Sequence, residues 1–114
     1  MATIARRACV VPVDRVVETM RPQSTESGTC MHRGESVPMI DAAALIGERV
    51  EATRIVVLRA GAERVAVLVD DVQNVQHVSA ADVGGPLVDA ARRQELGGAI
   101  ASVLAEVRVL RGPR

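Results

Sequence analysis

Residues 54–72 read RIVVLRAGAERVAVLVDDV. Two valine-rich runs flank Arg59-Ala60-Gly61-Ala62-Glu63, where Gly61 can take the positive φ of a tight connection, so the stretch predicts a β-hairpin. β-branched side chains suit a pleated, half-buried surface better than a helix. Short apolar runs of the same kind recur on both sides, separated by Gly, Asp-rich or Arg-Gly turns. Such spacing marks a small all-β barrel or sandwich, to which the short helices below add, giving a mainly β fold. Strands are predicted over 8–13, 29–32, 36–40, 54–59, 64–69 and 72–78. Residues 41–48 (DAAALIGE) predict a short helix, with Asp41 as N-cap and Gly47 at its end. A second short helix is predicted from Pro86 to Leu96. Pro38 removes a ladder donor and argues for an edge strand there.

The chain has 114 residues, 48% of them hydrophobic and none aromatic, so a core must be built from aliphatic side chains. One domain is expected over 1–114. The four methionines are scattered and read as core filler. Charge is balanced at 14 basic against 14 acidic residues. Every basic residue is Arg and none form a block, so a polyanion would gain little counterion release. Without aromatic rings there is no stacking platform for single strands. No nucleic acid partner is expected. The apolar runs are too short for a membrane helix, and no signal segment opens the chain. A cytoplasmic protein without membrane insertion is expected.

An internal echo links CVVPVDRVVE at 9–18 with VAVLVDDVQN at 65–74. Val13, Asp14 and Val16 match Val69, Asp70 and Val72, as two related strand-turn-strand units would. Cys30 and His32 share a strand face. However, no Asn or Asp is placed to orient the histidine, so a packed cysteine beside a surface histidine is expected rather than a nucleophile. Asp70, Asp71 and His77 lack a further ligand at a metal-site spacing. No metal, cofactor or catalytic residue is expected.

The segment GTCMHRGESVPMIDAAALIG, 28–47, resembles a block of the CheW-like chemotaxis coupling domain. Gly28 stands five residues ahead of Arg33-Gly34, and Pro38 and Asp41 fall in step. VVPVDRVVE upstream and RIVVLRAGAERVAVLVDDVQNV downstream are similar to that family's apolar strands. The resemblance implies two small, intertwined SH3-like β-barrel lobes with one or two short helices. It implies a non-enzymatic adaptor that couples chemoreceptor cytoplasmic tips to the regulatory domain of a histidine kinase, within a two-component signalling array. By position, the receptor-binding groove would use Val16, Glu18, Arg33, Ala66, Val72 and Val75, with Gly28 and Gly34 supporting the turn that presents Arg33. Compared with the family the chain is short at both ends, where MATIARR precedes the match and Ala105 stands in place of an Asp. Edge strands are therefore expected to be missing at both ends, leaving a route to a homodimer through unpaired edges. The alternative function is a self-associating structural module, or an adaptor in a non-chemotactic kinase pathway.

Overall fold

The computed structural model describes residues 2–4, 7–21, 28–49, 51, 53–73 and 78–111. Its strands are β1 (Ala2–Ile4), β2 (Arg7–Val10), β3 (Val16–Met20), β4 (Thr29–His32), β5 (Glu35–Asp41), β6 (Arg54–Ala60), β7 (Glu63–Val69), β8 (Asp71–Val72), β9 (Val83–Pro86) and β10 (Arg108–Leu110). The helices are α1 (Ala42–Leu45), α2 (Ala90–Leu96) and α3 (Gly98–Ala105), and single 3-10 turns occupy Val13–Arg15 and Ala80–Asp82. The protein is mainly β, with two five-stranded sheets, one of them curled into a half-barrel. One sheet runs β8-β1-β2-β10-β9 and the other β3-β6-β7-β5-β4.

The β6–β7 hairpin explains why its sequence is continuously apolar rather than alternating. Successive strand side chains point to opposite faces, and here both faces are covered. Val56, Leu58 and Ala60 of β6, with Val65, Val67 and Val69 of β7, join the larger core. Ile55, Val57 and Ala66 face the other way, into a smaller core with Cys30 and Val37. The larger core is shared by the two sheets, since Ala2, Ile4 and Cys9 reach it from β1 and β2. Its other cover is α3, through Val103 and Leu104.

The echoed segments are the two places where the chain changes sheets. It leaves the first sheet after β2 and enters the second at β3, then leaves the second after β7 and returns at β8. Matched residues thus sit at matched crossings, Val16 opening β3 and Val72 closing β8.

Several expectations are corrected. Both chain ends supply strands: β1 pairs with β2 and β8, and β10 lies between β2 and β9. These strands are short, yet Ala2 and Ile4 are buried. The strand predicted over 8–13 stops at Val10, because Pro12 leads into the 3-10 turn, where Arg15 N–H donates to the Pro12 carbonyl at 3.1 Å. The strand predicted over 72–78 reaches only Val72 from its start at Asp71, and 74–77 lie outside the described residues. Pro86 ends edge strand β9 rather than opening a helix. α2 begins at Ala90, capped by Asp89 accepting from Arg92 N–H. Pro38 is not on an edge strand, because β5 lies between β7 and β4. Its nitrogen still costs no ladder bond. Met39 N–H points to β4's side, at Gly28 O, so residue 38 faces β7, whose register begins only at Met39. Met31 is exposed, Met20 and Met39 pack on the smaller core, and Met1 lies outside the described residues.

Where β5 ends, Asp41 caps α1 by accepting from Ala44 N–H at 3.3 Å. Asp41→Ala is expected to cost about 1 kcal/mol, read as a lower denaturant midpoint at an unchanged slope.

Candidate functional site

β4 and β5 are joined by Arg33 and Gly34 alone, with His32 opposite Glu35 as the closing pair. Both turn residues have positive φ, 53° for Arg33 and 79° for Gly34. This is the geometry of a type I′ turn, whose twist matches that of the strands it joins. Glycine takes such φ without strain, whereas an arginine does so at a cost of about 1–2 kcal/mol. Arg33 is the one non-glycine residue with positive φ among the described residues. Gly28, also at positive φ (69°), precedes β4, and its carbonyl accepts from Met39 N–H at 2.9 Å. Both supporting glycines therefore stand where left-handed backbone is required.

β3 and β4 are the opposite edges of the curled sheet and share no backbone ladder. Side chains bridge them instead. Glu18 of β3 accepts, through one oxygen, from His32 Nε2 at 3.1 Å and from the Arg33 guanidinium at 3.4 Å. On its other side the imidazole meets Arg64 of β7, whose guanidinium donates to Nδ1 at 2.6 Å and pairs with Glu35 at 2.9 Å. An arginine has only donors, so Nδ1 must accept and Nε2 must carry the proton that Glu18 receives. The result is a polar clasp, Arg33–Glu18–His32–Arg64–Glu35, at the end of the smaller core. His32 at its centre is only 1% exposed, while Arg33 is 65% exposed.

The hydrogen bond from His32, with a further pull from Arg33 and against a smaller effect of desolvation, holds the Glu18 carboxyl below its ordinary value. A carboxyl depressed by folding stabilises the native state above its unfolded pKa, and that contribution is lost as pH falls through the folded value. Acid should therefore loosen the clasp only below the usual carboxylate range. A side-chain carboxyl titration by NMR should give Glu18 a lower midpoint than Glu18 in the His32→Leu variant. Equal midpoints would contradict the assignment.

Of the expected groove residues, the structure brings Glu18 and Arg33 into contact. Ala66 is fully buried in the smaller core, beneath the site, and presents no surface to a partner. Val16 and Val72 are half-buried against the larger core, and Val75 lies outside the described residues. A bulge falls between Val16 and Glu18, and it explains their divergence: Val16 lies opposite Leu58, on the larger core's side, and Glu18 opposite Val57, on the smaller core's side. His32 is not a surface residue, and it does have an orienting partner in Glu18. Sequence reasoning missed His32, Arg64 and Glu35. The available signal was parity, because His32 shares the inward face of Cys30.

The thiols do not form a nucleophilic site. Burial pushes Cys9 up to about 11 and raises Cys30 as well, and both ring nitrogens of His32 are engaged. Among the described residues no group of three His, Cys, Asp or Glu side chains is placed to hold a metal ion. None of their helices is long and apolar enough to cross a membrane.

No curated protein sequence matches the chain. The family model of the CheW-like domain matches residues 1–107, nearly the whole length. With its two sheets, its strained Arg33-Gly34 turn and its charged clasp, this chain belongs to the CheW-like domain family, a family of chemotaxis coupling adaptors.

Proposed function

We propose that this protein is a non-enzymatic cytoplasmic adaptor that couples the cytoplasmic tips of chemoreceptors to the regulatory domain of a histidine kinase. The observation that carries the reading is Arg33, exposed yet held at positive φ by a two-residue turn. A hairpin needing only a turn would do better with Asn-Gly. Backbone strain at an exposed cation is the kind of feature that points to function. A receptor tip is an amphipathic helical hairpin. Half-buried Val16 and Val72 offer apolar contact to such a helix, and Val75 is proposed to extend it. Arg33 and Glu18 would fix its register through charge-assisted hydrogen bonds.

Reconstitution tests the coupling. Kinase autophosphorylation is measured with receptor fragments alone, with this protein alone and with both. The expected result is stimulation only when both are present. Equal rates with and without the folded protein would overturn the proposal.

A further inference from the structure

A cavity of about 250 Å³ opens between the 3-10 turn at Val13–Arg15, the β6–β7 turn and α3, with Arg15, Arg59, Ala99, Ser102, Val103 and Glu106 in its wall. Arg15 is already engaged. Its Nε–H donates to one Glu106 carboxylate oxygen at 3.0 Å and its Nη2–H to the other at 3.4 Å. That pair cancels in charge and leaves one cation over, Arg59, which is exposed. The one acceptor it meets among the described residues is the Asp14 carbonyl, at 3.5 Å, and no carboxylate among them pairs with it. Building on the adaptor reading, we propose that this cavity takes a carboxylate side chain from the partner helix that meets Arg33, with Arg59 as the residue that binds it.

The residue types decide the ligand. A guanidinium offers five N–H donors in a planar fork, which a carboxylate fills through two parallel hydrogen bonds. One long bond to a neutral carbonyl leaves most of that capacity unused. Ser102 adds no donor, because its hydroxyl donates to the Gly98 carbonyl at 3.4 Å. With Arg15 against it, Glu106 adds little net repulsion toward an incoming carboxylate. Beneath the charges the wall is apolar, and Ala99 and Val103 offer contact to the methylene stem of a glutamate. α3 and the hairpin turn abut here: a Cβ at Gly61, whose φ is 64°, would stand 3.4 Å from the Ala99 Cβ. The floor is therefore set by packed backbone elements.

Strand register ties the cavity to the Arg33 turn. Ile55 and Val57 face the smaller core, and by alternation Arg59 shares their side of β6. Arg59 lies opposite Arg64 across the hairpin, and Arg64 is the clasp residue that donates to His32. On the β3 side, Arg15 stands next to Val16, and two residues further Glu18 holds Arg33. The three steps from Arg15 to Glu18 cover about 10 Å of extended chain, close to two turns of a helix at about 5.4 Å each. A partner helix lying on half-buried Val16 can thus offer two carboxylates about seven residues apart, one to Arg59 and one to Arg33.

The full chain is titrated with a receptor-tip hairpin fragment as wild type, Arg59→Gln and Arg54→Gln. Arg54 is also exposed and opens β6, about 17 Å along the strand from Arg59, so its variant removes the same charge from elsewhere. Both side chains are exposed, and both variants should keep the amide spectrum of the folded protein. Arg59→Gln is expected to weaken binding about fivefold, the scale of one exposed ion pair, and Arg54→Gln to leave it unchanged. In wild type the Arg59 Nε–H signal should move on binding. A double-mutant cycle with Glu→Gln changes in the fragment should find one carboxylate whose loss costs nothing further once Arg59 is replaced. Equal losses in the two variants, or binding that leaves the Arg59 signal unmoved and Arg59→Gln as tight as wild type, would overturn the proposal and leave the adaptor reading in place. No binding by folded wild type would overturn both.

Discussion

Arg33→Glu should weaken binding to a receptor-tip fragment by roughly tenfold to a hundredfold, about 1.4–2.8 kcal/mol, while leaving the protein folded. The reversal removes the exposed cation and sets a second carboxylate near Glu18, 3.4 Å from the present guanidinium. The pair is solvent-exposed, and exposed pairs contribute little to stability. Arg33→Asn separates recognition from folding. Asparagine tolerates the left-handed backbone that Arg33 adopts at φ 53°, and relief of strain worth up to about 1 kcal/mol should offset loss of the contact to Glu18. Its unfolding midpoint should be no lower than that of wild type, and its affinity for the fragment should still fall. Loss of stability in step with affinity would mean that Arg33 serves the fold rather than a partner.

Leu58→Ala should lower unfolding free energy by about 2–5 kcal/mol, a large share of the roughly 5–15 kcal/mol of a typical domain. Leu58 is 1% exposed and lies in the core that the two sheets share. Ile55, three residues earlier and so on the opposite face, looks into the smaller core beneath the clasp. Its truncation should disturb His32 and Arg33 signals more than Leu58→Ala does. Chemical denaturation with amide spectra of both variants distinguishes the two faces. An Ile55→Ala spectrum unchanged around Arg33 would show that the smaller core does not support the turn.

What could be read from sequence was what local chemistry determines. The hairpin over 54–69 announced itself through paired apolar runs about a glycine, and the cap at Asp41 through the alanines that follow it. The β4–β5 hairpin rested on the Arg33-Gly34 pair and on little else. No helix was predicted where α3 lies. Gly97 and Gly98 separate it from α2, with successive positive φ values of 69° and 56°. No strand was predicted at β9, whose two glycines and proline disfavour strands; its place at a sheet edge removes the penalty for the proline. The burial of His32 was beyond local reading altogether. It depends on the curl that brings β3 to β4, and on Arg64 arriving from β7, 32 residues away in sequence. Ala66 was assigned to a groove by position, but the doubly covered hairpin places it inside.

Chemical-shift mapping of the isotopically labelled chain against a receptor-tip hairpin fragment tests directly whether the Arg33 turn meets a receptor. Binding on the order of micromolar, about −8 kcal/mol, is expected, with perturbations at Val16, Glu18, Arg33 and Val72 and none at the buried Ala66 side chain beyond a secondary shift. A well-dispersed spectrum left unmoved by the fragment, or moved only on a face remote from the Arg33 turn, would contradict it.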